Sequence, residues 1–190
     1  MQNINIGILA HVDAGKTTLT EQLLFCAGAI RQAGDVNTGA ARTDYLQVER
    51  ERGISVRSSA VSFSYGGMQI NIIDTPGHAD FAAEVERSLA VLDAAILIVS
   101  AVEGIQPRTE LLIDALIATK TAMMVVINKT DRQGSNVSRV LQELRDRWGI
   151  RPALLSHMEG EGSREVMIRS VTAADAAFHE LMELCCDLDD

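Results

Sequence analysis

The chain has 190 residues, 47% of them hydrophobic, which suffices for one α/β core and leaves little room for a second full domain. Lys and Arg number 17 against 26 Asp and Glu, a net charge of -9 with no basic run, which excludes a broad polyanion-binding strip and confines any nucleic-acid contact to local patches. Cys26 stands alone and Cys185 adjoins Cys186, neither a disulfide framework nor a metal-ligand spacing, so a reducing cytoplasm is the expected setting.

The N-terminus, Met1-Gln2-Asn3, has no positive stretch ahead of an apolar run, and the most apolar segment, 94–102, is too short to cross a bilayer. Neither a membrane nor DNA is an expected partner. Residues 4–10 read as a buried strand that runs into Ala10-His11-Val12-Asp13-Ala14-Gly15-Lys16-Thr17-Thr18 and then into a helical pattern with Leu19, Leu23, Cys26 and Ile30 on one face. Strand, Gly-Lys-Thr and helix in that order are the context of a phosphate-binding loop, with Ala10 where the motif has Gly. In such a loop backbone N–H groups from Asp13 to Thr18 converge on phosphate oxygens at a helix N-terminus, the Lys16 ammonium reaches the β and γ phosphates, and the Thr17 hydroxyl is offered to Mg²⁺. An ordinary strand-to-helix turn with a surface lysine is the plainer alternative, and the motif alone does not choose between ATP and GTP.

Residues 31–56 are polar and without sustained periodicity, which in a compact domain usually marks a functional loop. Two strand-like runs between 58 and 74 flank Gly66-Gly67, the makings of a hairpin and of one antiparallel edge strand. After the second run comes Asp74-Thr75-Pro76-Gly77-His78. Asp74 could hold a Mg²⁺-bound water, and Gly77 lets a backbone N–H approach a γ-phosphate with no side chain intervening. His78, taken by itself, is more often a satisfied structural histidine than a catalytic one.

Further apolar runs at 94–100 and 123–127 read as buried strands, the second ending in Asn128-Lys129-Thr130-Asp131. The Asp131 carboxylate would accept from guanine N1 and the exocyclic amine, where adenine presents an acceptor. Asn128 would tie the base site to the phosphate loop, and the Lys129 methylenes would lie on the ring; an exposed turn after a strand is the alternative. Val137, Val140, Leu141, Leu144 and Trp148 then share one helical face. From Pro152 the pattern changes to short runs around Gly160-Glu161-Gly162 and at 166–168, and to an amphipathic helix over 173–185 with a capping box at Thr172 and Asp175. The expected fold class is α/β, a doubly wound, mostly parallel sheet with one antiparallel edge strand.

With the three motifs in order, the chain resembles the G domain of the translation GTPases, specifically elongation factor G and the tetracycline ribosomal-protection proteins. The likeness runs from Asn3 to about Ile150 and includes Thr43-Asp44, Glu49-Arg50-Glu51-Arg52-Gly53-Ile54 and Asp74 to Phe81. It implies a P-loop GTPase fold and hydrolysis of GTP to GDP on the ribosome, with ribosomal RNA among the contacts. It also implies that Asp74, Thr75, Pro76, Gly77 and His78 line the nucleotide, that Mg²⁺ is held by Thr17, Asp74 and the switch I position occupied here by Ser55, and that Asp13 holds a monovalent cation. Ser55 stands where the family has Thr, so the ligand oxygen survives on a looser side chain. By the same resemblance His78 positions the attacking water, behind an apolar gate of Val12 and Ile54. Orientation and charge neutralisation are the main needs of phosphoryl transfer, so a water-ordering histidine suffices. Arg50 and Arg52 lie in the moving loop, and the activating charge is expected from outside the chain.

Thr18 to Leu24 with Gly28-Ala29-Ile30, and Ile127 to Asp131, look more like the ribosomal-protection group, which would dislodge tetracycline; elongation factor G would instead drive translocation. A truncated module that binds nucleotide without turnover is a reading of another class, and an unrelated ATPase is disfavoured by Asp131. The family's fifth motif, a Ser-Ala segment beside the base, has no match at Ser156-His157 or at 170–173. Residues 1–150 are therefore expected to be the nucleotide-binding core and 151–190 the beginning of an insertion, with the chain stopping before the final strand and helix of the domain.

Overall fold

A computed structural model describes residues 3–30, 59–74 and 89–187. By packing, the chain divides into two units, Met1–Val99 with Ile105–Asn128, and Ser100–Gly104 with Lys129–Asp190.

The first unit is built on a five-stranded sheet in the order β2-β3-β1-β4-β5, comprising β1 (Asn3–Ala10), β2 (Ser59–Tyr65), β3 (Met68–Asp74), β4 (Ala94–Ser100) and β5 (Ala122–Asn128). β1 pairs parallel with both β3 and β4, which accounts for the apolar, buried second half of its sequence: Ile8 and Leu9 are wholly buried, as are Leu97 and Ile98 of β4. β2 pairs antiparallel with β3 through the Gly66-Gly67 turn, both glycines at positive φ, so the expected hairpin and antiparallel edge strand are present. Ser62 and Ser64 of β2 reach Asn71 and Gln69 of β3 across this hairpin, polar pairs in keeping with its half-exposed position.

Helix α1 (Lys16–Cys26) follows β1, and α2 (Pro107–Ala118) lies between β4 and β5. The second was not singled out in the sequence, although Pro107 at its first turn and Glu110 close behind are ordinary helix-start signals. The apolar face expected for α1 is met in part. Leu19 and Leu23, half-buried, pack against the core of Ile8, Ala10, Ala14, Ile72 and Ile98, but Cys26 is exposed. The deeply buried face is Lys16, Thr17, Thr20, Glu21 and Leu24. Polar side chains occupy it because the helix opens directly from a loop built of polar contacts; Thr20, for example, returns its hydroxyl to the Lys16 carbonyl at 3.0 Å.

The second unit contains α3 (Val137–Trp148), an antiparallel ribbon of β6 (Ser156–Glu159) and β7 (Met167–Ser170), and α4 (Ala176–Asp187). Val140 and Leu144 are the wholly buried members of the expected α3 face. Asn136 caps α3 by accepting from the Arg139 N–H at 2.8 Å, Glu161 accepts from Val137 N–H at 2.7 Å, and Gly149 closes the helix at φ 67°. Helix α4 begins three residues later than the expected 173, because Thr172 and Asp175 form a turn ahead of it. Half of the expected capping box is formed, since Asp175 accepts from the Thr172 N–H at 2.8 Å, but the Thr172 hydroxyl donates to the same carboxylate at 2.8 Å while the Asp175 N–H goes to the Thr172 carbonyl. No helix among the described residues is long and apolar enough to cross a membrane.

Candidate nucleotide site

In the sheet order, the chain proceeds from β1 toward β3 and β2 on one side and toward β4 and β5 on the other. In α/β proteins such a reversal is where ligands bind, beyond the carboxyl ends of the neighbouring strands. The loop 11–15 follows the end of β1, and Asp74 ends β3 in register with Ile8.

Buried strand residues hold the loop at its base, Ala10 at 2% exposure, and the turn then demands unusual backbone. Asp13 takes φ 62° and Gly15 φ 100°, both left-handed. Gly15 is the N-cap of α1 and no side chain caps that end, so the helix N-terminus is available to an anion. Lys16 and Thr17 are drawn in to 7% exposure each, whereas Val12 stands 41% exposed. His11 is buried, with Nδ1 3.1 Å from the Thr109 hydroxyl of α2. Arg108 precedes Thr109, and burial pushes its guanidinium below the ordinary value.

Asn128, the last residue of β5, donates from Nδ2 to the Ala14 carbonyl at 2.8 Å. A Cβ at Gly15 would collide with that same Nδ2. The bond expected from the sequence between the base motif and the phosphate loop is thus present, and it passes directly over a position that must lack a side chain.

Lys129 to Asp131 belong to the second unit. Lys129 adopts φ 61°, its side chain is only 10% exposed, and its ammonium lies 3.1 Å and 3.4 Å from the two Glu103 carboxylate oxygens. The Thr130 carbonyl accepts from Gly162 N–H at 2.8 Å and from the Ser135 hydroxyl at 3.2 Å, and Asp131 is exposed. Thr109, Glu103 and Ser135 were not singled out in the sequence, and Gly162 only as part of a short run. They stand 98, 26, 5 and 32 positions from the residues they hold, and only the Ser135 contact is short enough for local turn chemistry to have signalled it. Ser55, Thr75, Pro76, Gly77 and His78 lie outside the described residues, as do Ile54, Arg50, Arg52 and the whole of the 31–56 loop.

The donor set suits Mg²⁺. That ion takes hard oxygen ligands and usually binds through one or two protein oxygens beside substrate phosphates, and a threonine hydroxyl on α1 with an aspartate at the end of β3 are of this kind. A cleft of about 650 Å³ in the second unit, lined by Arg145, Arg151, Glu180 and Glu183 among others, contains none of the motif residues.

Residues 1–188 match the family described as the elongation factor Tu GTP binding domain. The chain belongs to this family, and so to the GTP-binding domains of the GTPase class, which work with Mg²⁺. Among its relatives are tetracycline resistance protein TetP of Clostridium perfringens, 44% identical over 98% of this chain, and the oxytetracycline resistance protein of Streptomyces rimosus, 45% identical over 100% of it. Tetracycline resistance protein TetW of Butyrivibrio fibrisolvens is 52% identical over 77% of the chain. The chain spans 29% of the length of the first two relatives and 23% of the third. A crystal structure of a Thermus thermophilus protein superposes with a TM-score of 0.80 at 27% identity, covering 95% of this chain and 30% of that one.

Proposed function

We propose that this chain is the GTP-binding and GTP-hydrolysing domain of a ribosome-dependent tetracycline ribosomal-protection protein, which releases the drug from the ribosome in the cytoplasm. The observation that carries the nucleotide reading is the 2.8 Å bond from Asn128 to the Ala14 carbonyl, which couples base recognition to the phosphate loop. The names of the 44–52% identical relatives support the choice of drug resistance over translocation.

In this reading Ala10, His11, Val12, Asp13, Ala14, Gly15, Lys16, Thr17 and Thr18 wrap the phosphates, chiefly with backbone N–H groups, and Lys16 neutralises the β and γ oxygens. Thr17, Ser55 and Asp74 would hold Mg²⁺, which when bound would offset charge on the phosphates. Asp13 would hold a monovalent cation. Asp74, Thr75, Pro76, Gly77 and His78 follow the γ-phosphate, and His78 orders the attacking water. Asn128, Lys129, Thr130 and Asp131 select guanine. Residues 1–150 form the nucleotide-binding core and 151–190 belong to an insertion in it. The partners are GTP, GDP and the ribosome with its RNA.

Single-turnover GTP hydrolysis with and without ribosomes tests this. Stimulated turnover is expected, and His78→Ala should lower it by orders of magnitude while nucleotide affinity stays within about a few-fold, because the ring acts on water rather than on phosphate. Lys16→Ala should weaken binding itself. Nucleotide binding with no turnover under either condition would replace the enzyme with a binding module.

A further inference from the structure

Lys129 is conspicuous in the second unit for combining a left-handed backbone, a nearly buried side chain and an acidic partner reached from another loop. L-residues other than Gly, Asn and Asp seldom take positive φ, and such strain persists where surrounding contacts over-determine it. Two contacts here do so. The Lys129 carbonyl accepts from Arg132 N–H at 3.2 Å, and its ammonium is gripped by both oxygens of Glu103.

Glu103 is itself held firmly. It sits in the turn 100–104, where the buried Ser100 hydroxyl accepts from the N–H groups of Val102 at 3.2 Å and Glu103 at 3.3 Å, while Gly104 N–H returns to the Ser100 carbonyl at 2.8 Å. The Arg139 guanidinium fastens the outer side of this turn, donating to the carbonyls of Val102 at 2.9 Å and Ala101 at 3.3 Å. Gly104 has φ 71°, a backbone that strains any other residue, and a Cβ there would come within 3.1 Å of that guanidinium and press it aside by a few tenths of an ångström. A surface ion pair needs no such scaffolding. Glu103 remains 41% exposed while the Lys129 side chain is 10% exposed, so the carboxylate anchors the tip of a lysine that is already held close to the protein.

Resting on the nucleotide reading above, we propose that Glu103 is a positioning residue for guanine. Its carboxylate fixes the Lys129 ammonium so that the four-carbon stem presents one ordered apolar face to the purine ring. Lysine carries more rotamer freedom than most side chains, and fixing it before the base arrives removes that ordering cost from binding. Ser100, Gly104 and Arg139 act behind Glu103 by fixing its backbone.

A double-mutant cycle on the full chain, read by titration with GDP, tests this. Glu103→Ala and Glu103→Gln should each weaken GDP binding about fivefold, the upper range for a partly exposed ion pair. In a Lys129→Ala background Glu103→Ala should have no further effect, because its only route to the base has been removed. The native advantage over Glu103→Gln should also shrink as salt is raised. Equal losses in both backgrounds would show a general effect on the fold and overturn the proposal, as would native affinity in Glu103→Ala when Lys129→Ala alone is impaired. Failure of the native chain to bind GDP at all would instead remove the nucleotide reading, and this proposal with it.

Discussion

Gly15 serves the phosphate loop in two ways that only glycine combines: φ of 100°, and no Cβ where the Asn128 amide crosses to Ala14. Gly15→Ala should cost about 1–2 kcal/mol for the left-handed backbone alone and displace the Asn128 amide as well. Its urea midpoint should fall and GDP binding should be lost; a native midpoint would mean that the loop relaxes around the methyl group. At the other end of the site, Asp131 acts through charge and hydrogen-bond direction. Asp131→Asn should move preference from GTP toward XTP, because xanthine has a carbonyl where guanine has an amine and now meets a donor. Competition titrations with GTP, XTP and ATP read this directly, and undiminished GTP preference in the variant would take Asp131 out of base recognition.

Among the elements, the β6-β7 ribbon depends on one carboxylate to join it to the start of α4. Asp175 takes a bidentate pair from Arg169 of β7, both bonds at 3.0 Å, as well as two bonds from Thr172, and His157 of β6 lies 3.6 Å away. The Arg169 bonds first, and the Thr172 bonds after them, hold the Asp175 carboxyl well below the usual carboxylate range. A carboxyl depressed in the folded state stabilises fully above its unfolded value, and this contribution drains away as pH falls below about 4. Asp175→Asn should remove that part of the acid sensitivity and lower stability at neutral pH. Acid titrations of the two proteins, followed through ribbon amide signals, would show it. An identical acid profile in the variant would mean that other groups govern the transition. The late start of α4 belongs to the same scale, since the Thr172–Asp175 turn uses polar groups that a capping pattern assigns to the helix itself.

For the whole molecule, family membership and the sheet order lead to a linkage prediction. A ligand bound only by the folded chain stabilises it by about 2.7 kcal/mol at 100 times its Kd. GDP with Mg²⁺ at that excess should raise the thermal midpoint by several degrees, roughly 2–4 °C per kcal/mol for a chain of this size. ADP at the same concentration should leave the midpoint unmoved, and equal shifts by both would contradict guanine selection.

What the sequence determined by itself were features written in short stretches of chain. Apolar runs mark β4, β5 and the second half of β1, a double glycine marks the hairpin, and Gly15-Lys16-Thr17 and Asn128 to Asp131 follow strands closely enough to be read as phosphate and base motifs. Local pattern suffices there because strand burial and turn conformation depend on neighbouring residues. Tertiary structure alone decided which face of α1 is buried, that Thr109 holds His11, that Gly162 supports Thr130 and that Glu103 grips Lys129. Most of these pairings join segments tens of residues apart, and what brings them together is strand order and loop path, which no short run of residues encodes.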